Sequence, residues 1–373
     1  MKNIKYRTWI EISTKALKNN YRIIRYLLKP RVKILGVVKS NAYGHGLAGY
    51  SQELVKLGVD WLGVDSITEA ETLRECGIKV PILVLGYTLP FNFKQAKELD
   101  VALTLSSFEN LKALAKSELD IAVHLKVDTG MHRQGFQQNE IPKVINAIKR
   151  SKNIKLQGVY THFGAAKNPD WSGMTQKQVK LFDQAIKLAK QANPFVITHA
   201  SASAGAMNFS TTHYDMVRIG AALYGLWPSL ETKLSLEKRI DLIPVMSWKT
   251  IISEIKRVEK GDKIGYDFTE EVKRRTKVAV LPIGYWHGYW RSLSGNFSVL
   301  VKGQRAKVLG RVSMDMVTID VTDIKGAKVG DVVTLLGKQG KEEITADEMA
   351  QAANTTNYEV VTRVNPLIMK YYC

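Results

Sequence analysis

From residue 34 to about residue 220, short unbroken apolar runs alternate with longer stretches in which apolar positions recur every three or four residues. The unbroken runs are 34–38 (ILGVV), 60–64 (DWLGV), 81–85 (PILVL), 101–105 (VALTL), 121–127 (IAVHLKV), 156–161 (LQGVYT), 195–199 (FVITH) and 215–219 (DMVRI). Continuous apolarity over so short a span predicts strands covered on both faces. The intervening stretches 47–57, 66–76, 107–116, 140–150 and 175–191 predict amphipathic helices; in the last, Val179, Phe182, Ala185, Ile186 and Ala189 share one face. Eight strands alternating with helices predict an α/β fold built on an eight-stranded parallel (β/α)8 barrel. An open doubly wound sheet is the alternative, and the missing Gly-x-Gly-x-x-Gly after the first strand counts against it.

After about residue 240 the helical period stops, and strand-like runs at 245–258, 277–282, 297–302, 306–321 and 331–336 follow one another. Turns at Lys260-Gly261-Asp262, Lys302-Gly303 and Val329-Gly330-Asp331 punctuate them. A mainly β C-terminal domain is therefore expected over 241–373, after a barrel over 13–240. Thr345 with Glu348 three residues on predicts a capping box opening one helix. Tyr358–Val364 reads as a closing strand, and Arg7–Ile12 as an early strand that precedes the barrel count. A length of 373 residues suits one large domain and a smaller one, and the sequence has no internal repeat.

Composition changes this picture little. The chain is 45% hydrophobic and 24% charged, as expected of a folded protein. Its formal charge of +19 raises nucleic acid or an anionic membrane as a partner. The basic residues are nevertheless scattered, with no aromatic ladder or helix-turn-helix pattern beside them, so a solvated basic surface is the simpler reading and no specific nucleic acid is expected. No stretch approaches the roughly 20 apolar residues of a membrane span, and the N-terminus lacks an apolar signal core. A cytoplasmic location follows as an expectation. Cys76 and Cys373 lack metal-ligand spacing, which argues against a zinc site or a disulfide framework.

The candidate chemistry starts at Lys39, which ends the apolar run Ile34–Val38 and leads into Ser40-Asn41-Ala42-Tyr43-Gly44-His45-Gly46. A lysine at the mouth of a core strand suits an amine that forms a Schiff base with a carbonyl substrate or with pyridoxal phosphate. An ordinary strand-capping lysine is the competing reading. Active sites of such barrels lie at the C-terminal strand ends, and polar groups recur there: Lys126 and Arg133 after the fifth strand, His162 after the sixth, Ser203 after the seventh, Arg218 and Gly220 at the eighth. The segments 199–205 (HASASAG) and 218–221 (RIGA) combine hydroxyls, exposed N–H groups and glycine where barrels commonly hold phosphate.

Val37-Val38-Lys39-Ser40-Asn41-Ala42-Tyr43-Gly44-His45-Gly46 resembles the cofactor-lysine segment of the alanine racemase family, and further motifs of that family recur in order down to Tyr358. The resemblance implies a pyridoxal 5'-phosphate enzyme, a barrel followed by a β domain that Arg7–Ile12 (residues 1–12) joins, and a homodimer with shared active sites. It would interconvert L- and D-alanine, supplying D-alanine for cell-wall peptidoglycan. By the same resemblance Ser203, Gly220 and Ala221 contact the cofactor phosphate, with Tyr43 and Tyr358 as phenolic donors; the family usually has asparagine where this chain has Ala202. Arg218 is placed against the pyridine nitrogen and His162 buttresses it. Lys126-Val127-Asp128-Thr129-Gly130-Met131-His132-Arg133 is similar to a second signature, with Arg133 facing the phenolic oxygen and the substrate carboxylate, and Lys126 at a position some members carbamylate.

Racemisation needs a proton carrier on each face of the reacting carbon. Lys39 is one. Gly261-Asp262-Lys263-Ile264-Gly265-Tyr266 resembles the family's tyrosine loop, which makes Tyr266 of the partner subunit the other. Gly310-Arg311-Val312-Ser313-Met314-Asp315 is similar to the segment whose Met314 amide receives the substrate carboxylate, and Tyr285 would line the entrance. Trp286-His287 departs from the family's small residue and aspartate, which leaves open a serine or broad-specificity racemase. A barrel decarboxylase would be expected to pair the pyridine nitrogen with a carboxylate, and Arg218 argues against it. A non-catalytic pyridoxal-phosphate carrier resembles the barrel alone.

Overall fold

The computed structural model describes residues 5–373 and divides into two compact units, one comprising the described residues through Ala16, Tyr43–Gly46 and Pro244–Cys373, the other Leu17–Ala42 and Leu47–Ile243. After a strand β1 (Thr8–Ile12), the chain forms β2 (Lys33–Val37), β3 (Trp61–Val64), β4 (Ile82–Val84), β5 (Ala102–Leu105), β6 (Ile121–Lys126), β7 (Ile154–Tyr160), β8 (Ile197–His199) and β9 (Met216–Ile219). Strands β2 to β9 pair in sequence order, all parallel, and β9 returns to β2 to close an eight-stranded barrel, as the apolar runs predict. Leu35 stands opposite Trp61 on one side and Arg218 on the other.

Helices Leu47–Lys56, Ile67–Glu75, Phe108–Ser117, Ile141–Arg150 and Ser172–Ala189 fall where the periodicity puts them. Each buries an apolar stripe; that of Ile141–Arg150 consists of Ile141, Val144, Ile145 and Ile148. Ser66 and Ser107 cap two of them by accepting the N–H groups of Glu69 and Asn110, contributing about 1 kcal/mol each. The helices Thr14–Leu27, Phe93–Glu98, Ser203–Asn208 and Leu230–Leu236 add to those expected.

The other unit holds β10 (Met246–Ile251), β11 (Glu254–Val258), β12 (Lys263–Ile264), β13 (Glu270–Glu271), β14 (Thr276–Leu281), β15 (Ser298–Val301), β16 (Gln304–Leu309), β17 (Val317–Asp320), β18 (Val332–Gln339), β19 (Glu342–Ile344) and β20 (Lys370–Tyr372). Its main sheet runs β11-β14-β17-β16-β15-β18-β10-β1-β20, with β19 on β18 and a separate β12-β13 hairpin. β1 lies antiparallel to β10 and parallel to β20.

Three expectations need correction here. The run 245–258 is two strands parted at Ile252-Ser253, and 306–321 is two strands parted by a turn that includes Gly310 at φ +62. Tyr358–Val364 is not a strand: Asn357–Thr362 is helical, and β20 closes the sheet instead. Asn357, Val360, Val361 and Val364 are the buried positions, a spacing that repeats with the helix and not with a strand. Thr345 caps Ala346–Ala353 by accepting the Glu348 N–H, the half of the capping box that the side chain of Thr345 supplies. Among the described residues, no helix is long and apolar enough to cross a membrane.

Candidate active site

Lys39 follows β2 by two residues, and the backbone beyond it turns left-handed for four consecutive non-glycine residues: Ser40, Asn41, Ala42 and Tyr43 have φ of +55, +55, +50 and +51. Such a turn costs on the order of 1–2 kcal/mol per residue, so its surroundings must hold it. Within the barrel unit, the Ala42 N–H donates to the Val38 carbonyl at 2.8 Å, the Asn41 N–H to Glu69 Oε1 at 3.2 Å, and the Leu47 N–H to Asn41 Oδ1 at 2.9 Å. The other Glu69 oxygen accepts the Asp65 N–H at 2.8 Å, and Asp65 Oδ1 lies 3.2 Å from Lys39 Nζ. Neither Asp65 nor Glu69 was singled out from the sequence, because an acidic residue in the first turn of a helix reads as an ordinary cap.

Arg218, on β9, is 3% exposed. Its guanidinium donates to the carbonyls of Thr161 and Ala200, each at 2.7 Å, and approaches His199 Nδ1 at 3.1 Å and His162 Nδ1 at 3.3 Å. All four partners are neutral groups. Burial pulls the guanidinium down to about 10, still charged at neutral pH. Lys126 is also buried, with Nζ 4.2 Å from the Tyr160 ring centre. Burial, then Arg218 and Arg133, push its ammonium well below the usual lysine range against the pull of Asp128. Asp128 Oδ1 is itself occupied by the N–H groups of Gly130, Met131 and His132 at 2.9, 3.0 and 3.1 Å. A small cleft between these groups is lined by Lys126, Asp128, Arg133, Thr161 and His162. Buried cations without an opposing anion are costly, so this donor set calls for an acidic ligand.

Ser203 and Gly220 meet at the exits of β8 and β9: Ser203 Oγ accepts the N–H of Gly220 at 3.1 Å and of Ala222 at 3.4 Å. Ala221 lies between those two donors. The helix Ser203–Asn208 has Ala202 as its N-cap and therefore no side-chain cap. The structure thus brings Lys126, Arg133, His162, Ser203, Arg218, Gly220 and Ala221 to one end of the barrel, together with Lys39.

The remaining candidates lie in the β unit. Tyr43 is pushed up to about 12 by burial, and Tyr358 is raised by burial and by the nearby Tyr43 and Asp347. Gly44 makes that packing possible, because a Cβ there would sit 2.1 Å from the Val361 carbonyl oxygen. Tyr266 opens the short turn Tyr266–Phe268 and is 70% exposed. A Cβ on Gly310 would meet the Ile264 carbonyl at 2.6 Å, so the loop carrying Tyr266 packs on the loop leading to Met314. The Tyr285 N–H donates to the Ser313 carbonyl at 3.1 Å and the Trp286 N–H to the Met314 carbonyl at 3.0 Å, stitching a third loop to the second. His287 takes over the role of a turn acceptor: its Nδ1 receives the Gly284 N–H at 3.2 Å. Tyr266, Tyr285, Trp286 and Met314 all remain exposed on this unit.

A family model described as "Alanine racemase, N-terminal domain" matches residues 12–228, and one described as "Alanine racemase, C-terminal domain" matches 245–372. The alanine racemase of Leptospira interrogans serogroup Icterohaemorrhagiae serovar Lai is 39% identical over 372 residues, covering 97% of this chain and 95% of that protein. That of Halothermothrix orenii is 40% identical over 376 residues, covering 100% and 98%. Among solved structures, the alanine racemase of Clostridium difficile 630 superposes with a TM-score of 0.94 at 34% identity, over 100% of this chain and 97% of that one. The alanine racemase of Bacillus anthracis with bound L-Ala-P gives 0.93 at 34% identity, over 99% and 96%.

Proposed function

Since the chain belongs to the alanine racemase family, we propose that it interconverts L- and D-alanine with pyridoxal 5'-phosphate, by a two-base mechanism in which each active site is shared between two copies of the chain. The observation that carries this reading is Arg218, a buried guanidinium whose four partners are all neutral. No carboxylate stands among these partners, and an arginine at this position supports racemisation over the barrel-decarboxylase alternative.

The cationic, anion-seeking barrel mouth fits the cofactor. Ser203, Gly220 and Ala221 would hold its phosphate; Arg218 would stand against its pyridine nitrogen, and Arg133 against its phenolic oxygen. When bound at Lys39, the cofactor withdraws electrons from the substrate Cα and so makes that carbon's proton removable. Arg218 keeps its own protons and so limits how strongly that charge is drawn away, which favours rapid return of the proton over side reactions. His162, 3.3 Å from Arg218, holds the guanidinium in place.

Lys39 Nζ removes or returns the Cα proton on one face. The Tyr266 oxygen of the partner subunit does so on the other. An ordinary tyrosine holds its proton up to roughly pH 10, so this role needs cations around the phenol. Each barrel mouth offers them in Arg133 and Arg218. The Met314 amide and Arg133 bind the substrate carboxylate, a small anion suited to fixed donors. The depressed Lys126 favours the neutral amine, the form that adds carbon dioxide, and the resulting carbamate would place an anion beside Arg218 and Arg133. The bound L-Ala-P of the Bacillus anthracis neighbour supports an alanine-sized ligand. Trp286, exposed on the turn bonded to Met314, supports a second reading in which the entrance admits serine or other amino acids.

The product, D-alanine, would feed peptidoglycan synthesis in the cytoplasm. Incubation with each L-amino acid in deuterated water tests the function: alanine should give D-alanine carrying Cα deuterium faster than any other amino acid. Absence of both products with all amino acids would remove the reading.

A further inference from the structure

Behind His199, one of the partners of Arg218, the barrel interior carries a further histidine that the mechanism above does not use. His124 on β6 and His199 on β8 are both 0% exposed, and His124 Nδ1 lies 2.8 Å from His199 Nε2. The pair is tightly built. His199 stacks on Tyr160 with ring centres 4.7 Å apart and 6° between planes, and Trp61 meets His124 edge-on at 5.3 Å. On the neighbouring strand β7, Gly158 stands directly opposite His124, and a Cβ there would lie 2.2 Å from His124 Nδ1. A glycine is needed at that point for the ring to fit.

The proton positions in this chain are fixed by its other end. Arginine is a donor only, so His199 Nδ1 and His162 Nδ1, 3.1 and 3.3 Å from the guanidinium, must both be bare acceptors. The single proton of a neutral His199 then sits on Nε2 and is donated to His124 Nδ1. The reverse order would aim an N–H at an arginine N–H in a dry interior. A doubly protonated His199 would do the same and add a charge; burial and the adjacent Arg218 hold it well below the ordinary histidine range. The proton of His124 is left on Nε2, which has no hydrogen-bond partner among the described residues.

We infer that His124 is a positioning residue: it anchors a one-directional hydrogen-bond chain, Arg218 to His199 to His124, that locks His199 in the tautomer able to accept from Arg218. Its effect on turnover rests on the racemase reading, whereas the proton order does not.

The test is nitrogen NMR on the full-length, cofactor-loaded protein with isotopically labelled histidine. In the native protein His199 and His124 should each show a bare Nδ1 and a protonated Nε2. His124→Leu removes the acceptor, so His199 should redistribute between tautomers, with kcat for alanine falling about 10- to 100-fold while KM moves far less. His124→Asn places an amide oxygen near the lost Nδ1 and should restore the His199 signals and much of kcat. A protonated His199 Nδ1 in the native protein would overturn the inference without any variant having to fold. So would native-like His199 signals and kcat in His124→Leu. An inactive native protein with the expected tautomers would instead count against the racemase reading alone.

Discussion

The two halves of the proposed site are built in opposite ways. At the barrel mouth the central groups are buried or tied: Arg218, buried, has four partners, Ser203, buried, has two, and the half-buried Lys39 is held by Asp65, itself fixed through Glu69. On the β unit the loops are firmly stitched to one another, yet Tyr266 is 70%, Met314 54% and Tyr285 44% exposed. A tyrosine in open water has no reason to lose its proton at working pH. The barrel presents a site nearly complete in its cations, while the roles we propose for the β-loop groups require something to cover them. A second copy of the same chain is the covering our proposal assigns.

Lys39→Ala removes the proposed proton carrier and the proposed cofactor attachment together; steady-state racemisation should fall by about ten-thousand-fold or more. Residual activity within tenfold of native would place the chemistry on another residue. Tyr266→Phe should lower racemisation by about 100- to 1,000-fold while leaving the bound cofactor's absorbance native, since only one proton path is lost. The two enantiomers have equal free energy, so both racemisation directions must slow equally. Exchange of the Cα proton with deuterated water has no such constraint and should survive far better for one enantiomer. Equal loss of exchange for both would end the one-face role.

The smallest effect is on stability and concerns the barrel alone. Burial holds His124, at about 3, and His162 and His199 well below the ordinary value of 6.5. As pH falls through 6.5 the unfolded chain takes up these protons and the folded one does not, so the stability they confer is full above that value and is lost progressively toward about 3. Each contributes a slope of about 1.4 kcal/mol per pH unit. His124→Asn removes one of the three, and urea unfolding between about pH 6 and about pH 4 should therefore show a slope shallower by about that amount. Identical slopes would mean that His124 is protonated in the folded protein.

Much of the barrel was legible because its strands are mostly apolar, and a charged residue in such a strand, Lys126 or Arg218, stands out on sight. The β unit was harder. Val360-Val361-Thr362 has strand-like composition, but the burial of Asn357, Val360, Val361 and Val364 makes it helical, a pattern visible only once the covered face is known. His124 carried the same signal as Lys126, a polar side chain in a core strand, but its partner lies 75 residues away on the far side of two strand crossings. Asp65 and Glu69 depend on a left-handed turn that no propensity of Ser40-Asn41-Ala42-Tyr43 announces. Contacts of this kind arise from closure of the barrel rather than from local pattern.

The central claim is that one working site takes Lys39 from one chain and Tyr266 from another. Lys39→Ala and Tyr266→Phe proteins carrying different affinity tags are mixed, allowed to exchange subunits, and purified through both tags in succession. A mixed dimer holds one site with both defects and one with neither, so the account predicts activity approaching half that of the native dimer by site counting. Verified mixed dimers no more active than their parents would contradict it.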